Sequence, residues 1–188
     1  MNISFLAIGN ELVSGKIQET NARWLASQLL VMGEQIKFIL LAPDNENELI
    51  KAFKFLEANS DIIICSGGLG PTPDDLTAQA FARYAGLELI LNKEILDQIK
   101  SRFKLLRGME MPPTNEKQAM FPKGAKIIPN PVGTAPGFEL ELNSRHWFFL
   151  PGVPNEFQNM CEQYLLARIR ALLKKEKIYL SKTLRVLD

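Results

Sequence analysis

The sequence is poor in the residues that soft metal sites and disulfide frameworks require. Its 188 residues include one histidine, His146, and two cysteines, Cys65 and Cys161, which lie far apart in apolar stretches. The single histidine excludes a zinc site with two histidine ligands, and no Cys-x-x-Cys pair is present. We therefore expect both cysteines to be reduced core residues. Any bound metal must take mostly oxygen ligands, which favours magnesium or manganese over zinc.

A surplus of charge of one sign and a long apolar run are also absent. The chain has 22 Lys and Arg against 21 Asp and Glu, so no general attraction for nucleic acid or an anionic membrane is expected. No apolar run approaches the roughly 20 residues that span a bilayer, and the start lacks the basic region of a signal peptide. We expect a cytoplasmic protein without nucleic-acid or membrane partners, in which a local site holds any anionic ligand.

Hydrophobic patterns alternate between strand and helix through most of the chain. The unbroken Ile62-Ile63-Ile64 is typical of a strand buried on both faces, and Gly86 and Gly108 suit the ends of helices. This alternation predicts a three-layer α/β/α sandwich around a mainly parallel, doubly wound sheet. Strands are predicted at 3–8, 36–41, 61–65 and 145–150, and helices at 20–32, 45–58, 74–85, 93–107 and 154–174.

The composition changes after Gly108, where prolines and glycines become frequent. Two short strands predicted at 125–128 and 138–142 indicate a small β-hairpin insertion at about 109–145. A last strand is predicted at 178–187. We interpret 1–188 as a single domain, and its apolar end suggests a piece of a longer protein.

The most informative segment is the glycine-rich loop that directly follows the third predicted strand. Gly67, Gly68 and Gly70 carry no side chains, so a phosphate could approach the backbone N–H groups of the loop. The segment is neither a Walker loop, because no Gly-Lys-Ser/Thr follows, nor a G-x-G-x-x-G dinucleotide fingerprint. It predicts an anion-binding cradle.

The residues that follow this loop have two interpretations. Thr72 suits a helix N-cap, Pro73 suits the first helical position, and Asp75 stands near the spacing of a capping box. Asp74 and Asp75 would then only stabilise the start of a helix. Two adjacent carboxylates beside a phosphate loop would, however, repel the phosphate unless a cation lies between them. This pattern favours a divalent metal held by carboxylates and phosphate oxygens.

Three further loops follow predicted strands and meet the glycine loop at the carboxyl edge of a doubly wound sheet. In the first, Glu11 could be a metal ligand or a base, and Asn21 a hydrogen-bond donor. In the second, Asp44 is either a helix N-cap or a ligand. In the third, Gly152 lies at a strand-to-helix corner that could form a second backbone anion site.

The proline-rich insertion contains another set of candidate contacts. Gly133 and Thr134 lie in a stretch with too many turn residues for regular structure, and such loops are often lids or ligand loops. A rigid hairpin connection held by prolines is the alternative. Lys117 is a candidate phosphate partner, although surface lysines are commonly just solvated.

Three motifs in this order, at 67–77, 130–138 and 150–156, together with the loop at 9–12, resemble the amino-terminal domain of the CinA (competence/damage-inducible) family. The resemblance covers nearly the whole chain. That domain is similar to the molybdopterin-binding fold of the MogA, MoaB and MoeA proteins, an α/β/α sandwich with a mainly parallel sheet. The resemblance also implies a homo-oligomer.

The resemblance implies two chemistries at a phosphoanhydride. CinA-like proteins are linked to divalent-metal-dependent hydrolysis of the pyrophosphate in ADP-ribose, which gives AMP and ribose 5-phosphate. The molybdopterin relatives bind a pterin phosphate, and MogA-like members adenylylate it, with aspartates that match Asp75 and Asp44. Leu69 stands where MogA-like loops have threonine, which favours the nucleotide-hydrolase branch. Asn10 stands where the pterin relatives often have aspartate, which weakens a metal role at that position.

Our hypothesis is a metal-dependent pyrophosphatase for ADP-ribose or a similar nucleotide. The alternatives are molybdopterin binding or adenylylation in molybdenum cofactor biosynthesis, and a noncatalytic nucleotide-binding module. Asp75, Asp44 and Glu11 are the catalytic candidates, and the first two would hold magnesium, manganese or cobalt. The expected small-molecule partner is a nucleotide or a pterin phosphate. The ligand-binding candidates are Gly67, Gly68, Gly70, Thr72, Asp74, Asn21, Lys117, Gly133, Thr134 and Gly152.

Overall fold

The computed structural model describes residues 1–173, apart from the side chains of residues 106 and 107. The strand expected at 178–187 lies outside the described residues. In chain order the elements are β1 (Ile3–Ile8), α1 (Asn10–Val13), α2 (Asn21–Val31), β2 (Ile36–Ala42), α3 (Glu46–Asn59), β3 (Ile62–Ser66), α4 (Thr77–Ala85), β4 (Leu89–Leu91), α5 (Lys93–Arg107), a 3₁₀ helix (Pro113–Ala119), β5 (Met120–Pro122), β6 (Lys126–Ile128), β7 (Gly137–Leu142), β8 (Arg145–Leu150), α6 (Pro154–Met160), a π-helical turn (Cys161–Leu165) and α7 (Leu166–Leu173).

The central sheet has six strands in the order β2-β1-β3-β8-β7-β6. The first four are mutually parallel, and β7 runs antiparallel to both β8 and β6. The predicted mainly parallel sheet is thus confirmed. Because consecutive parallel strands are joined through helices, the loops that leave β1, β2, β3 and β8 all open at the same edge of the sheet.

Helices cover both faces of this sheet, which gives the predicted three layers. Successive side chains of β3 alternate between the faces: Ile62 and Ile64 pack with α2 and α6, whereas Ile63 and Cys65 pack with α3 and α4. Every residue of β3 is buried, as its unbroken apolar run indicated. Both cysteines are reduced and buried, as expected. No helix of the described residues has the length and apolar character needed to cross a membrane.

The proline-rich region divides into two parts that the sequence patterns did not separate. β6 and β7 form the expected antiparallel hairpin, but they extend the central sheet, and Phe138 pairs with Phe149 of β8 in the buried core. A second, two-stranded sheet joins β4 to β5 and packs with α5 and the 3₁₀ helix, so this small lobe begins near residue 89 rather than 109. Strands of three residues are too short to show a clear alternation pattern.

The turn between β7 and β8 has both central residues, Asn143 and Ser144, at positive φ (51° and 59°). This conformation is typical of a tight two-residue hairpin turn, because its twist matches that of the flanking strands. Asparagine tolerates it better than serine does.

Ser144→Gly should therefore stabilise the fold. A left-handed residue other than glycine costs roughly 1–2 kcal/mol, and glycine gives up roughly 0.5–1 kcal/mol of that gain through chain entropy. We expect the free energy of unfolding to rise by about 0.5–1 kcal/mol in urea denaturation. Ser144→Ala, which keeps the unfavourable conformation, should give no gain. An equal gain in both variants would contradict this account.

Candidate functional site

The loops at the carboxyl edge of the central sheet enclose a cleft of about 670 Å³. Its walls come mainly from the loops that follow β1, β3 and β8. Three other segments contribute one or two residues each: Asp44 after β2, Gln118 from the 3₁₀ helix, and Thr134 and Ala135 from the connection between β6 and β7. A cleft of this volume is typical of a small-molecule site. The predicted convergence of the strand-end loops is thus present.

Most of the residues that the sequence nominated line this one cleft. Lys117 and Gly133 do not: Lys117 lines a neighbouring pocket, and Gly133 lies against the side chain of Glu156. The nominated residues that line the cleft are Glu11, Asn21, Asp44, Gly67, Gly68, Gly70, Thr72, Asp74, Asp75, Thr134 and Gly152.

Two glycines of the loop after β3 are required by contacts within the chain. Gly67 has φ +112°, and a Cβ there would overlap the carbonyl oxygen of Ile8 at the end of β1. Gly68 has φ +66°, and a Cβ there would overlap the hydroxyl of Thr77. Both positions therefore need glycine whether or not a phosphate binds. The sequence motif alone could not distinguish these two requirements.

The backbone of this loop nevertheless keeps unused hydrogen-bond donors. The N–H of Gly67 donates to the carbonyl of Leu150, 3.0 Å away. Within the described chain, no hydrogen bond uses the N–H groups of Gly68, Leu69 or Gly70. These residues line the cleft, so their N–H groups can still serve an anionic ligand.

The helix after this loop begins later than the sequence predicted. Asp75 Oδ2 accepts from the backbone N–H and the hydroxyl of Thr72, at 2.8 and 2.6 Å, which closes a turn before the helix. Thr72 is therefore not the N-cap, and Pro73 is not the first helical residue. The helix starts at Thr77, whose buried hydroxyl donates to the carbonyl of Gly67. Thr72 and Asp75 do have the spacing of a capping box, but their hydrogen bonds stabilise a turn before the helix.

Asp44 is not a helix cap either. The side chain of Asn45 caps α3 by accepting from the N–H groups of Asn47 and Glu48. Asp44 instead accepts from the N–H of Asn10 at 2.8 Å, and its own N–H donates back to the Asn10 side chain at 3.2 Å. This reciprocal pair joins the loop after β2 to the loop after β1 and leaves Asp44 on the wall of the cleft.

The carboxylates of the cleft repel one another. Partial burial raises the pKa of Asp44 above its ordinary value, and the hydrogen bond from Asn10 opposes this effect. Repulsion from Glu11, Asp75 and Asp74 raises the pKa of Asp44 further. These four acidic side chains are therefore close enough to interact through space.

No lysine or arginine lines this cleft in the described part of the chain. Besides the four interacting carboxylates, Glu19 and Glu156 also line it. Between residues 1 and 173, no group of three or more His, Cys, Asp or Glu side chains is arranged to hold a metal ion by itself. A cation in this cleft would therefore need oxygen atoms from its ligand as well as from the protein.

Asn21 has a structural role that its sequence position did not reveal. Its amide group donates to the hydroxyl of Ser66 at 3.0 Å and to the carbonyl of Gly152 at 2.9 Å. Asn21 thus ties the start of α2 to the end of β3 and to the loop after β8, and its donors are not free for a ligand. Its buried Oδ1 has no partner among the described residues.

Sequence reasoning assigned no role to several side chains that organise the walls. Glu19 begins α2 by accepting from the N–H groups of Asn21 and Ala22. The buried Asn130 donates to Glu156 Oε2 at 2.6 Å and accepts from the N–H of Gly133 at 2.8 Å. The packing of Gly133 against Glu156 explains the glycine at this position without a ligand. An acidic residue two positions before a helix is the only sequence signal that could have indicated one of these roles.

Lys117 uses its charge within the protein. Its ammonium group donates to the carbonyl of Thr72 at 2.6 Å, which attaches the 3₁₀ helix to the loop after β3. Arg102 on α5 donates in the same way to the carbonyls of Asn130 and Pro131. Both cations therefore hold loops next to the cleft rather than face it.

Comparison with known proteins places the chain in one family. The family model described as "Probable molybdopterin binding domain" matches residues 4–171. A CinA-like protein of Citrifermentans bemidjiense is 44% identical over 169 residues, which are 90% of this chain and 41% of that protein. The chain thus spans less than half the length of this relative.

Solved structures agree with this assignment. The crystal structure of the protein CinA, of unknown function, from Thermoplasma acidophilum is 33% identical and matches 88% of this chain and 96% of its own with a TM-score of 0.81. The molybdopterin biosynthesis Mog protein from Mycobacterium ulcerans is 20% identical and matches 92% of this chain and 97% of its own with a TM-score of 0.59. At 20% identity, the likeness to the Mog protein shows a shared fold alone.

Gly67→Ala should strongly destabilise the fold, because the new Cβ would overlap the carbonyl of Ile8. We expect a loss of at least about 3 kcal/mol in the free energy of unfolding, measured in urea. Gly86→Ala is the matched control: it also has positive φ, but a Cβ there meets nothing within 4 Å. It should cost only about 1 kcal/mol. Similar losses in the two variants would show that the close approach does not matter.

Asp44→Asn should stabilise the fold at neutral pH, because it removes repulsion and keeps an oxygen for the N–H of Asn10. Since folding raises the pKa of Asp44, its contribution to stability is fully present below the ordinary value of 3.8 and is lost as pH rises through the folded pKa. The gain in the variant should therefore be seen near pH 7 and vanish near pH 3. Urea denaturation at both pH values tests this. Asp97 is exposed on α5, so the control variant Asp97→Asn should show no such gain in the free energy of unfolding.

Proposed function

The chain belongs to the family of the "Probable molybdopterin binding domain" and is a CinA-like member of it, and from this premise we propose that it is a metal-dependent nucleotide pyrophosphatase. Its substrate would be ADP-ribose or a similar nucleotide, cleaved at the phosphoanhydride. The observation that carries the proposal is the charge of the cleft, where carboxylates and unused backbone donors occur together without a basic side chain. A diphosphate can be held in such a cleft only together with a cation.

The donor set fits a hard divalent cation that is shared with the substrate. Magnesium is commonly bound by one or two carboxylates together with substrate phosphates, and a complete protein cage is not needed. Asp75 and Asp44 are the carboxylates we assign to it. Asp75 Oδ2 already accepts two hydrogen bonds from Thr72, which fixes the position of this side chain. When bound, the cation would neutralise charge that develops on the phosphate oxygens.

Residues of the chain supply the other roles. The N–H groups of Gly68, Leu69 and Gly70 would donate to oxygens of the diphosphate, and they are rigidly placed because Gly67 is locked against β1 and β8. Glu11 lies at the start of α1, on the same wall as Asp44. We assign it to accept a proton from the water that attacks phosphorus. The bond between that phosphorus and the bridging oxygen breaks, giving AMP and ribose 5-phosphate.

A second candidate, molybdopterin binding, is favoured by the family description, whose model covers nearly the whole described chain. A pterin phosphate would use the same backbone donors and the same cation, and adenylylation of it would need ATP as a joint substrate. A noncatalytic module would bind either ligand and release no product. The three possibilities differ in their products, so incubation with ADP-ribose and, separately, with ATP and a pterin phosphate distinguishes them.

The chain should release AMP and ribose 5-phosphate from ADP-ribose in the presence of magnesium, manganese or cobalt, and chelation of the metal should abolish the release. Asp75→Asn should lower turnover by about 100-fold or more. Its melting temperature should change little, because asparagine keeps an oxygen that can accept from Thr72. Product is measured by chromatography, with the exposed Asp97→Asn as a charge-matched control that keeps full activity.

Two outcomes would contradict the proposal. ADP-ribose that binds without hydrolysis under all three metals would favour the noncatalytic module. Formation of an adenylylated pterin from ATP and a pterin phosphate, with no action on ADP-ribose, would favour the second candidate. Full activity in Asp75→Asn would remove this residue from the mechanism.

A further inference from the structure

A second pocket borders the loop after β3 and shares part of its lining with the main cleft. It has a volume of about 250 Å³ and shares Gly68, Leu69, Gly70, Asp75 and Gln118 with the cleft. The two spaces are therefore neighbours that have part of this loop and the Gln118 side chain in common. A site for a whole drug-sized ligand usually has 300–1,000 Å³, so this pocket suits one part of a larger ligand.

The walls of this pocket differ from those of the cleft. Most of its lining away from the loop is apolar and comes from α4 and the small lobe, including Ala78, Leu89, Met120 and Phe121. The main cleft, by contrast, is lined by six carboxylates. An apolar pocket beside an acidic, donor-lined cleft matches a ligand that has a flat apolar ring at one end and phosphates at the other.

Gln118 lines both spaces, and a side-chain hydrogen bond holds its amide in place. It is only 6% exposed, and its Oε1 accepts from the side-chain N–H of Asn115 at 2.9 Å. In this pair the NH₂ group of Asn115 is the donor and the Gln118 oxygen is the acceptor, so the oxygen of Gln118 is already used. Within the described residues, no hydrogen bond uses its NH₂ group, and Gln118 lines both spaces. Its two N–H donors therefore remain available to a ligand that occupies the two spaces.

We propose that this second pocket is the ring subsite of the substrate, which takes a flat bicyclic nitrogen heterocycle while the attached phosphates occupy the cleft. The NH₂ group of Gln118 donates to a ring nitrogen or ring carbonyl oxygen and thereby selects heterocycles with an acceptor at that edge. The shared chemistry is that of a purine or a pterin, and the test distinguishes these two sources. This inference rests on the proposed function only in assuming that the phosphates bind in the cleft, and it does not require hydrolysis.

Ala78→Leu tests the subsite by filling it, and Ala85→Leu is its matched control. Both alanines are partly buried on the same face of α4, seven residues apart, but only Ala78 lines the pocket. With magnesium present, Ala78→Leu should weaken binding of ADP-ribose by about tenfold or more in calorimetry. Binding of inorganic pyrophosphate, which has no ring, should change less than about twofold. Ala85→Leu should change neither.

Gln118→Glu tests the donor with an isosteric change that keeps an oxygen for Asn115. Because the added charge weakens all anions, the measured quantity is the ratio of affinities for ADP-ribose and pyrophosphate. We expect this ratio to fall by about tenfold. An unchanged ratio would overturn the role of Gln118.

A measurement on the unaltered chain guards against variants that do not fold. With methyl-labelled methionine, the Met120 signal should shift when ADP-ribose is added and stay in place with pyrophosphate. If a pterin phosphate shifts it and ADP-ribose does not, the subsite stands and its ring is a pterin. The subsite is overturned if both ring compounds bind without shifting the Met120 signal and Ala78→Leu binds them normally. It is also overturned if neither ring compound binds. Binding that depends on Ala78 without product release would refute the pyrophosphatase alone.

Discussion

The closest packing in this site is backbone against backbone. Gly67 lies against the carbonyl of Ile8 on one side and donates to Leu150 on the other, and its Cα would be 3.3 Å from a Cβ added at Gly152. Three strand-end loops can therefore meet at a point where no side chain fits. This contact sets where the glycine loop, with its unused N–H groups, lies relative to the loops after β1 and β8.

The electrostatics of the cleft follow from what the same packing leaves unpaired. Two cations next to loops of the cleft, Lys117 and Arg102, donate to backbone carbonyls of those loops. The carboxylates consequently have no positive partner on the cleft wall, and the pKa of Asp44 is raised by burial and by its acidic neighbours. A repulsive cluster of this kind lowers stability, and a cation bound between the carboxylates would relieve that repulsion.

The sequence predicted the architecture well because its signals are local. The all-apolar β3 and the glycines that end α4 and α5 follow from periodicity and backbone conformation alone. The chemical roles depend on contacts between distant segments, and these were less accessible. Thr72 and Asp75 had the spacing of a helix cap but close a turn, because Thr77 is already committed to Gly67. The side chain of Asn21, for example, donates to Ser66 and to the carbonyl of Gly152. These partners lie 45 and 131 residues away along the chain.

The small lobe built from β4, α5, the 3₁₀ helix and β5 is attached to the loops of the cleft by two cationic side chains. Lys117 donates to the carbonyl of Thr72, and Arg102 donates to the carbonyls of Asn130 and Pro131. Since both side chains donate to main-chain oxygens, side chains in these loops can be exchanged without loss of either attachment. Loop chemistry in this scaffold can thus diversify while the mechanical support stays constant.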